Sequence, residues 1–333
     1  MPASEFDLIA AINDRLPLRN ERVRIPSGDD AAVVDPEGAS VTSVDAVVDG
    51  VHFILETFGP RPVGRKALAA ALSDLAAMGA LPGEAYVALG APVETEDEAL
   101  LAIADGLAEV AIRESVAIAG GDLVSSPTLF LSVTAVGYES ADGGIVTRSG
   151  AAPGDVVAVT GELGGAAAAL ELLRPPEDVD VAGELRDQLL SRQLDPRPRL
   201  DEGRALAAAG ASAMIDVSDG LGADAAHLAA AGGCRIEIEL ERLPVAAGVA
   251  EVAGGEGAAL ELAATGGEDY ELLAAIHPDS LDRAAAAVRD AGGVLTEIGQ
   301  VAEGRGVALR LPGGGEIQPR GFDQRRGSLS GSG

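Results

Sequence analysis

Short apolar segments that end in glycine, serine or aspartate recur along this chain, and that pattern constrains its fold more than any other feature. Residues 41–48 and 128–136 are rich in valine and threonine and predict strands, whereas the Ala- and Leu-rich residues 62–78 predict a helix. Aromatic residues make up only 2% of the sequence, so the core must be built from Ala, Val, Leu and Ile. The recurrence of both element types indicates a mixed α/β (α+β) protein.

Residues 147–155 (TRSGAAPGD) bring Gly and Pro together in quick succession and predict a domain boundary. The 333 residues are enough for two domains. We therefore expect an N-terminal domain over residues 1–149 and a C-terminal α/β domain over residues 150–324. The Gly- and Ser-rich residues 325–333 predict a disordered tail.

The chain has a formal net charge of −29, from 53 acidic and 24 basic residues, and Lys66 is its only lysine. Such a charge repels nucleic acids and anionic membrane surfaces, so we expect neither as a partner. It remains compatible with small phosphate ligands where metal ions neutralise the site. The charge is also typical of adaptation for solubility, for example in a salty cytoplasm.

The single cysteine, Cys234, excludes an internal disulfide and fits a reducing compartment. The first sixteen residues carry acids rather than a basic segment, and no apolar run approaches about 18 residues. We expect neither a signal peptide nor a membrane span, and a cytoplasmic location.

Acidic side chains gather where predicted strands meet turns, and Asp74 stands alone inside the predicted apolar helix. The acidic residues at these junctions are Asp29, Asp30, Asp45, Asp122, Asp216, Asp219, Glu268 and Asp269. Isolated carboxylates together with substrate phosphates suit Mg²⁺, which prefers oxygen ligands and keeps several waters. Asp and Gly are also common loop residues in an acidic chain, but the shared position of the whole set favours a metal site.

The sequence has no P-loop, and no motif of a serine hydrolase, a zinc protease or a C-x-x-C redox site. Residues 160–165 (TGELGG) fit either a phosphate-binding turn at a helix start or close helix packing. Among the three histidines, His52 follows an acidic strand end, whereas His227 and His277 are typical of ordinary structural positions.

Seven motifs in order resemble the thiamine-monophosphate kinase family over nearly the whole chain. They are SGDDAAVV (27–34), SVDAVVDGVHF (43–53), KALAAALSDLAAMGA (66–80), GGD (120–122), TRSGAAPGD (147–155), IDVSDGL (215–221) and GGEDYEL (266–272). The resemblance implies the two-domain fold shared with aminoimidazole ribonucleotide synthetase. In that fold the N-terminal domains pair into a homodimer and ATP lies in a cleft lined by acids. The implied activity is transfer of the γ-phosphoryl group of ATP to thiamine monophosphate, the final step of thiamine diphosphate biosynthesis.

The resemblance also implies roles for individual positions. Metal ligands would be Asp30, Ser43, Val44, Asp45, Asp74, Asp122, Asp216 and Asp219, with Val44 able to offer only its backbone carbonyl. ATP would contact Gly121, Asp122, Arg148 and Ser218. Thiamine phosphate would contact His52, Glu268 and the aromatic residue Phe322. Asp45 and Asp122, taken as strand-end residues, would share Mg²⁺ at the phosphates.

The expected chemistry needs no covalent or general-base residue, because the acceptor phosphate is largely deprotonated at neutral pH, with a second pKa of about 6. Several Mg²⁺ ions would screen the two phosphate groups, Arg148 would add a forked cationic contact, and the transfer would be in line.

Other functions stay open at this stage. Other ATP enzymes of the same fold are aminoimidazole ribonucleotide synthetase, selenophosphate synthetase and a hydrogenase-maturation dehydratase. The last two would show a reactive Cys or selenocysteine near the N-terminus or a C-terminal Cys, whereas Cys234 is internal and the sequence ends in SGSG. A non-catalytic nucleotide- or metal-binding regulator is the alternative from another class.

We predict that added KCl stabilises the protein, because counterions screen the self-repulsion of a chain with a net charge of −29. The melting temperature, followed by calorimetry at fixed pH, should rise from low to high KCl. A melting temperature that stays flat or falls contradicts this.

Overall fold

The computed structural model describes residues 5–16, 21–26, 31–36, 38–174, 179 and 181–322, without the side chains of Glu5 and Phe6. These residues form two compact units. Unit 1 takes its described residues from 1–75 and 81–139, and unit 2 from 76–80 and 140–325. No helix in the described ranges is long and apolar enough to cross a membrane.

Unit 1 contains four helices and six strands. The helices are α1 (Glu5–Asn13), α2 (Leu55–Phe58), α3 (Pro60–Ala77, whose last two residues belong to unit 2) and α4 (Asp97–Arg113). The strands are β1 (Val23–Ile25), β2 (Val33–Val34), β3 (Ser40–Val48), β4 (Leu81–Ala91), β5 (Ala117–Ser125) and β6 (Phe130–Tyr138). Strands β1 and β2 pair antiparallel, and the other four form a sheet in the order β3-β6-β4-β5, with only the β4–β5 pair parallel.

The two faces of the four-stranded sheet differ in burial. Along β3, Val47 is 4% exposed whereas Val44, which points to the opposite face, is 65% exposed. Helix α3 covers the face of Val47, because Ser43 on that face donates a hydrogen bond to Asp74 of α3. Mostly small side chains of α3 and the branched residues of the strands therefore make the core of unit 1, as the low aromatic content requires.

Helices α3 and α4 pack with their backbones in close approach. A Cβ atom on Gly64 would lie 2.0 Å from the carbonyl oxygen of Ile103, so only glycine fits there. Beside this contact Arg65 Nε lies 2.5 Å from Glu109 Oε2. Lys66, one residue further along α3, has no exposed surface, and its Nζ lies 5.3 Å from the centre of the Phe58 ring.

Unit 2 contains seven helices and seven strands. The helices are α5 (Gly165–Leu173), α6 (Gly183–Leu194), α7 (Leu200–Ala208), α8 (Leu221–Gly232), α9 (Val249–Ala253), α10 (Glu256–Thr265) and α11 (Leu281–Asp290). The strands are β7 (Val156–Thr160), β8 (Ala211–Asp216), β9 (Arg235–Glu239), β10 (Leu272–Ile276), β11 (Leu295–Ala302), β12 (Gly306–Arg310) and β13 (Glu316–Ile317). Short 3-10 turns lie at Leu240–Arg242 and Pro278–Ser280.

The seven strands of unit 2 form one sheet in the order β13-β12-β9-β11-β7-β10-β8, in which only β9 and β12 pair parallel. All five residues of β10 are buried, because β10 lies between β7 and β8. The core is aliphatic, with Ile215, Leu221, Ile236 and Leu273 each at most 1% exposed. The ends of β8 and β10 are therefore anchored by a continuous hydrophobic core.

The structure confirms the mixed α/β prediction and corrects two details. Residues 120–122 do not end a strand, because β5 continues through them to Ser125, and Asp45 lies inside β3. Gly121 does not mark a strand end but permits close pairing of β5 with β4, since a Cβ atom on Gly121 would lie 2.2 Å from the Val87 carbonyl oxygen. Asp29, Asp30 and the predicted tail at 325–333 lie outside the described residues.

Candidate functional site

In unit 1, Ser43 and Asp74 come together as the resemblance implies. The Ser43 hydroxyl of β3 donates to Asp74 Oδ2 of α3, so the lone carboxylate of the apolar helix has a polar partner. Asp45 lies two residues further along β3 on the same face, and its Oδ1 accepts the Ala46 N–H at 3.0 Å. These three side chains place oxygen ligands along one edge of the sheet.

Unit 1 does not bring Asp45 and Asp122 together. One row of paired residues crosses the sheet from Asp45 of β3 through Val133 of β6 and Val87 of β4 to Gly121 of β5. Asp122 belongs to the adjacent row. Adjacent rows point to opposite faces, and two strands separate β3 from β5. The side chain of Val44 also points away from Asp45, so its backbone carbonyl is the only group it could offer.

An apolar cavity of about 120 Å³ opens beside Gly121 and Asp122. Its wall comes from α1, α4, β4 and β5. The residues that line it are Ile9, Ile12, Asn13, Leu16, Val87, Leu89, Ala104, Leu107, Ile118, Gly120, Gly121, Asp122 and Leu123. An apolar pocket with the backbone of Gly120, Gly121 and Asp122 at its rim suits a flat aromatic group attached to a phosphate chain. Sequence reasoning missed this pocket, since α1 is distant from residues 120–122 in the chain.

His52 is held in one tautomer. The backbone N–H of Val48 donates to the ring nitrogen Nδ1 of His52 at 3.1 Å. The backbone N–H of His52 donates to the Val48 carbonyl at 2.9 Å. Because Nδ1 accepts a hydrogen bond, the proton of the neutral ring is on Nε2. His52 therefore presents a ring N–H donor at the turn after β3.

In unit 2, Asp224 organises the turn that follows β8. Its Oδ2 accepts the backbone N–H groups of Ser218, Asp219 and Gly220 at 3.0, 3.1 and 3.0 Å. Desolvation and the nearby charges of Asp216 and Asp219 raise the pKa of Asp224 to about 8. Sequence reasoning missed Asp224, although a carboxylate in the first turn of α8 is a recognisable signal for such capping.

The turn after β8 brings together four residues that the resemblance implicates: Ser218 and Asp219 in the turn, and Glu268 and Phe322, which bond to its carbonyls. The Glu268 N–H donates to the Ser218 carbonyl at 2.8 Å, and the Phe322 N–H donates to the Asp219 carbonyl at 2.9 Å. Glu268 has φ +73° and Tyr270 has φ +51°, both uncommon for residues other than glycine. Such conformations persist only where the surroundings fix them, and they cluster at functional sites.

Asp269 occupies the start of α5. Its carboxylate accepts the N–H groups of Gly164 at 2.7 Å and Ala166 at 3.1 Å. These amides, which the phosphate-turn reading of residues 160–165 would offer to a ligand, are therefore engaged by the chain itself. The residue keeps some exposed surface, but its carboxylate lies among protein atoms, and this desolvation raises the pKa of Asp269 to about 7.

Glu271, with no exposed surface, is paired with a cation. Arg199 donates to both of its oxygens, from Nε at 2.8 Å and from Nη2 at 2.6 Å, and the Thr160 hydroxyl donates at 2.7 Å. The Thr160 hydroxyl in turn accepts the Leu272 N–H at 2.8 Å. This network fixes the end of segment 266–271 to β7 and to the start of α7.

Arg148 lies in an exposed turn whose backbone runs along β8. The Met214 N–H donates to the Thr147 carbonyl at 3.2 Å, and a Cβ atom on Gly150 would lie 1.8 Å from the Ser212 carbonyl oxygen. The exposed guanidinium is thus attached to the strand that ends in Asp216.

The described residues contain no cluster of three or more His, Cys, Asp or Glu side chains that would hold a metal ion by themselves. They do contain carboxylates whose neighbours are other carboxylates, as the effect of Asp216 and Asp219 on Asp224 shows. All the donors are oxygens, and Ser43 with Asp74 adds a hydroxyl–carboxylate pair. This donor set fits Mg²⁺ that completes its shell with water and phosphate oxygens.

Two family models match the chain: AIR synthase related protein, N-terminal domain, over residues 28–138, and AIR synthase related protein, C-terminal domain, over residues 152–312. Two relatives are the thiamine-monophosphate kinases of Mycobacterium tuberculosis and Caulobacter vibrioides. The first is 44% identical over 70% of this chain and 69% of the relative. The second is 36% identical over 94% of this chain and 88% of the relative.

Solved structures give the same result. The thiamine-monophosphate kinase of Stenotrophomonas maltophilia is 36% identical and has a TM-score of 0.82, covering 93% of this chain and 97% of that one. AaThiL complexed with AMPPCP and TMP is 32% identical, with a TM-score of 0.76 and 96% coverage of both chains. Escherichia coli HypE shares the fold. It is 23% identical, with a TM-score of 0.69, and the match covers 97% of this chain and 98% of that one.

We predict that the Asp269→Asn variant is less stable than wild type at pH 5 and that the difference narrows towards pH 8. Asn accepts only one of the two N–H bonds, which costs about 1–3 kcal/mol. Desolvation, with the nearby charges of Glu271 and Arg192, gives the Asp269 carboxyl group a pKa of about 7 in the folded protein. In the unfolded chain the same group has a pKa of 3.8, so it loses its proton at a lower pH there. Wild-type stability due to Asp269 therefore falls as pH rises through that window.

The measurement is the melting temperature of both proteins at several pH values, with Asp187→Asn on the exposed side of α6 as the control. A difference in melting temperature between wild type and Asp269→Asn that widens as pH rises contradicts the raised pKa of Asp269.

Proposed function

The chain belongs to the thiamine-monophosphate kinase family, and from this premise we propose how its own residues transfer the γ-phosphoryl group of ATP to thiamine monophosphate. The observation that carries the proposal is the convergence of four residues at the turn after β8 in unit 2. The Glu268 N–H donates to the Ser218 carbonyl, and the Phe322 N–H donates to the Asp219 carbonyl. The relative solved with AMPPCP and TMP supports the same pair of substrates. The product is thiamine diphosphate, so the reaction completes its biosynthesis.

ATP is bound in this proposal through its base and its phosphates. The adenine enters the apolar cavity of unit 1 between α1, α4 and the β4–β5 edge, with Gly121 and Asp122 at the rim where the phosphate chain leaves. Arg148 supplies a guanidinium for phosphate oxygens, and Ser218 supplies a hydroxyl.

Mg²⁺ ions would be held by carboxylate, hydroxyl and carbonyl oxygens. The proposed ligands are Asp30 (outside the described residues), Ser43, the Val44 carbonyl, Asp45, Asp74, Asp122, Asp216 and Asp219. When bound, Mg²⁺ neutralises the charge of the phosphate groups. Asp224 keeps the turn of Asp219 in shape through its three N–H contacts, and Ser43 orients Asp74.

The acceptor is thiamine monophosphate, whose phosphate is itself the nucleophile. His52 presents its Nε2–H to an anionic phosphate oxygen, because its Nδ1 is occupied by the Val48 N–H. Glu268 faces the cationic thiazolium, and Phe322 packs against the ring system. With a phosphate that is already ionised, alignment for in-line attack is the main task of the site, and no residue has to remove a proton.

We infer a homodimer built by the N-terminal domain, which we place over residues 1–149, with the α/β domain over 150–324. Support comes from the face of the four-stranded sheet that carries Val44 and Val124, which are 65% and 42% exposed. Apolar side chains this exposed on one sheet face favour burial against a second copy. The single cysteine and the substrates favour a cytoplasmic location.

The direct test is an assay of ADP formation with saturating ATP, Mg²⁺ and either thiamine monophosphate or free thiamine. We expect turnover with thiamine monophosphate that disappears with EDTA, and a rate at least 100-fold lower with free thiamine. Free thiamine offers a neutral alcohol and lacks the phosphate that would anchor and align it. Comparable rates with both acceptors would mean that a general base exists and that the in-line mechanism proposed here is wrong.

A second prediction concerns the adenine pocket. Ile12→Trp should fill the cavity between α1 and the sheet, raising the KM for ATP about tenfold and leaving the KM for thiamine monophosphate within twofold. Ala10→Trp, on the exposed side of α1, is the matched control and should leave both values unchanged. Equal changes in the two KM values, or normal ATP binding by folded Ile12→Trp, would place the base elsewhere.

A further inference from the structure

Two glutamates in segment 266–271 have partners of different charge. Glu271 accepts two hydrogen bonds from the guanidinium of Arg199, so its charge is neutralised inside the protein. Glu268, three residues earlier, receives a hydrogen bond from the carboxamide of Gln193, whose Nε2 lies 2.7 Å from Glu268 Oε2. A carboxamide fixes a carboxylate in space without cancelling its charge.

Gln193 is placed for this contact by the end of α6. Its side chain is 1% exposed, and a buried carboxamide is retained in a fold only where its polar atoms are satisfied. The neighbouring Arg192 points to other acids, with Nη2 2.5 Å from Glu162 Oε2 and Nη1 3.7 Å from Glu271 Oε1. Of two adjacent side chains, the neutral one therefore meets Glu268 in the observed hydrogen bond.

The backbone of Glu268 is fixed independently of Gln193. The Glu268 N–H bonds the Ser218 carbonyl, the Tyr270 N–H bonds the Val217 carbonyl, and a Cβ atom on Gly267 would lie 2.4 Å from the Ser218 carbonyl oxygen. Three side-chain torsions still separate this backbone from the carboxylate of Glu268. The contact with Gln193 restricts those torsions, so its main effect is on the carboxylate rather than on the loop.

A carboxylate that is held in place by a neutral carboxamide suits a cationic ligand. An arginine at position 193 would pair with Glu268 and remove much of its attraction for a cation, whereas a leucine would leave its direction undefined. The half-buried Glu268 is also less screened by water than a surface acid. The arrangement therefore favours an acceptor that carries a positive ring over one that is neutral.

We propose that Gln193 is a positioning residue for the acceptor, which directs the Glu268 carboxylate towards the cationic ring of thiamine monophosphate while leaving its charge intact. The inference rests on the proposed function, because it assigns Glu268 to the acceptor. Gln193 itself contacts neither the reacting phosphates nor ATP in this proposal.

The test compares wild type, Gln193→Met, Gln193→Arg and the control Gln188→Met, whose glutamine lies on the exposed side of the same helix. Each is assayed for ADP formation with thiamine monophosphate and with an analogue whose thiazolium is replaced by a neutral ring. We expect Gln193→Met to raise the KM for thiamine monophosphate at least tenfold, with kcat within threefold and the KM for ATP within twofold. Gln193→Arg should lose the preference for the cationic acceptor, and Gln188→Met should match wild type.

Glu268→Gln and the double variant Gln193→Met/Glu268→Gln complete a cycle. If Gln193 acts through Glu268, the double variant has the same KM for thiamine monophosphate as Glu268→Gln alone. If the two substitutions instead multiply each other's effect on the KM for thiamine monophosphate, the proposal is overturned. It is also overturned if Gln193→Met keeps the wild-type KM and the preference for the cationic acceptor. A purely structural role would change both KM values and the rate with both acceptors together.

If Gln193→Met melts too low to assay, the test uses Gln193→Arg and Glu268→Gln alone. The quantity compared is the rate of ADP formation with the cationic acceptor divided by the rate with the neutral acceptor. A ratio equal to wild type in both overturns the proposal. Failure of wild type to phosphorylate thiamine monophosphate is a different result, since it would reject the proposed function itself.

Discussion

The pairing of the Glu271 carboxylate with Arg199 is the interaction on which the rest of unit 2 depends. A carboxylate without solvent contact is tolerated only when its charge and lone pairs are satisfied, and losing one partner of such a pair typically costs about 3–5 kcal/mol. Arg199 and Thr160 satisfy Glu271 from α7 and β7 at the point where β10 begins. The segment before it, with Glu268 and Tyr270, can then hold left-handed backbone angles because its end does not move.

The chain solves a general problem of excess negative charge with backbone amides. It has 53 acidic side chains but only 24 basic ones, so guanidinium groups cannot pair with every acid. Asp224 and Asp269 instead accept backbone N–H groups at the starts of α8 and α5, and desolvation raises the pKa of both carboxyl groups, so that they also carry less negative charge at neutral pH than exposed acids. The acids that face substrate in the proposed mechanism are thereby left for phosphate-bound cations.

Much of the architecture could be predicted from the sequence, because strand periodicity and Ala-rich helices are local signals. The strand at 41–48 and the helix over 62–78 both follow from patterns that the sequence displays. The course of β5 through Gly121 could not be predicted, since it depends on the proximity of the Val87 carbonyl on a neighbouring strand.

Long-range side-chain contacts were equally hidden in the sequence. Gln193 meets Glu268 across 75 positions of the chain, and neither residue type signals such a pairing. The apolar pocket beside Asp122 needs α1, which is more than one hundred residues away in sequence. Local patterns predicted candidate site residues, whereas the partners that orient these side chains depend on tertiary packing.

The burial of Lys66 has a consequence for the covalent chemistry of this protein. It is the only lysine in the sequence, and it has no exposed surface in α3. The folded surface therefore offers no ε-amine, and neither acetylation nor isopeptide conjugation can take place on a lysine without local unfolding. An amine-reactive label directed at lysine would accordingly report the opening of α3 from its packing rather than the accessibility of the native surface.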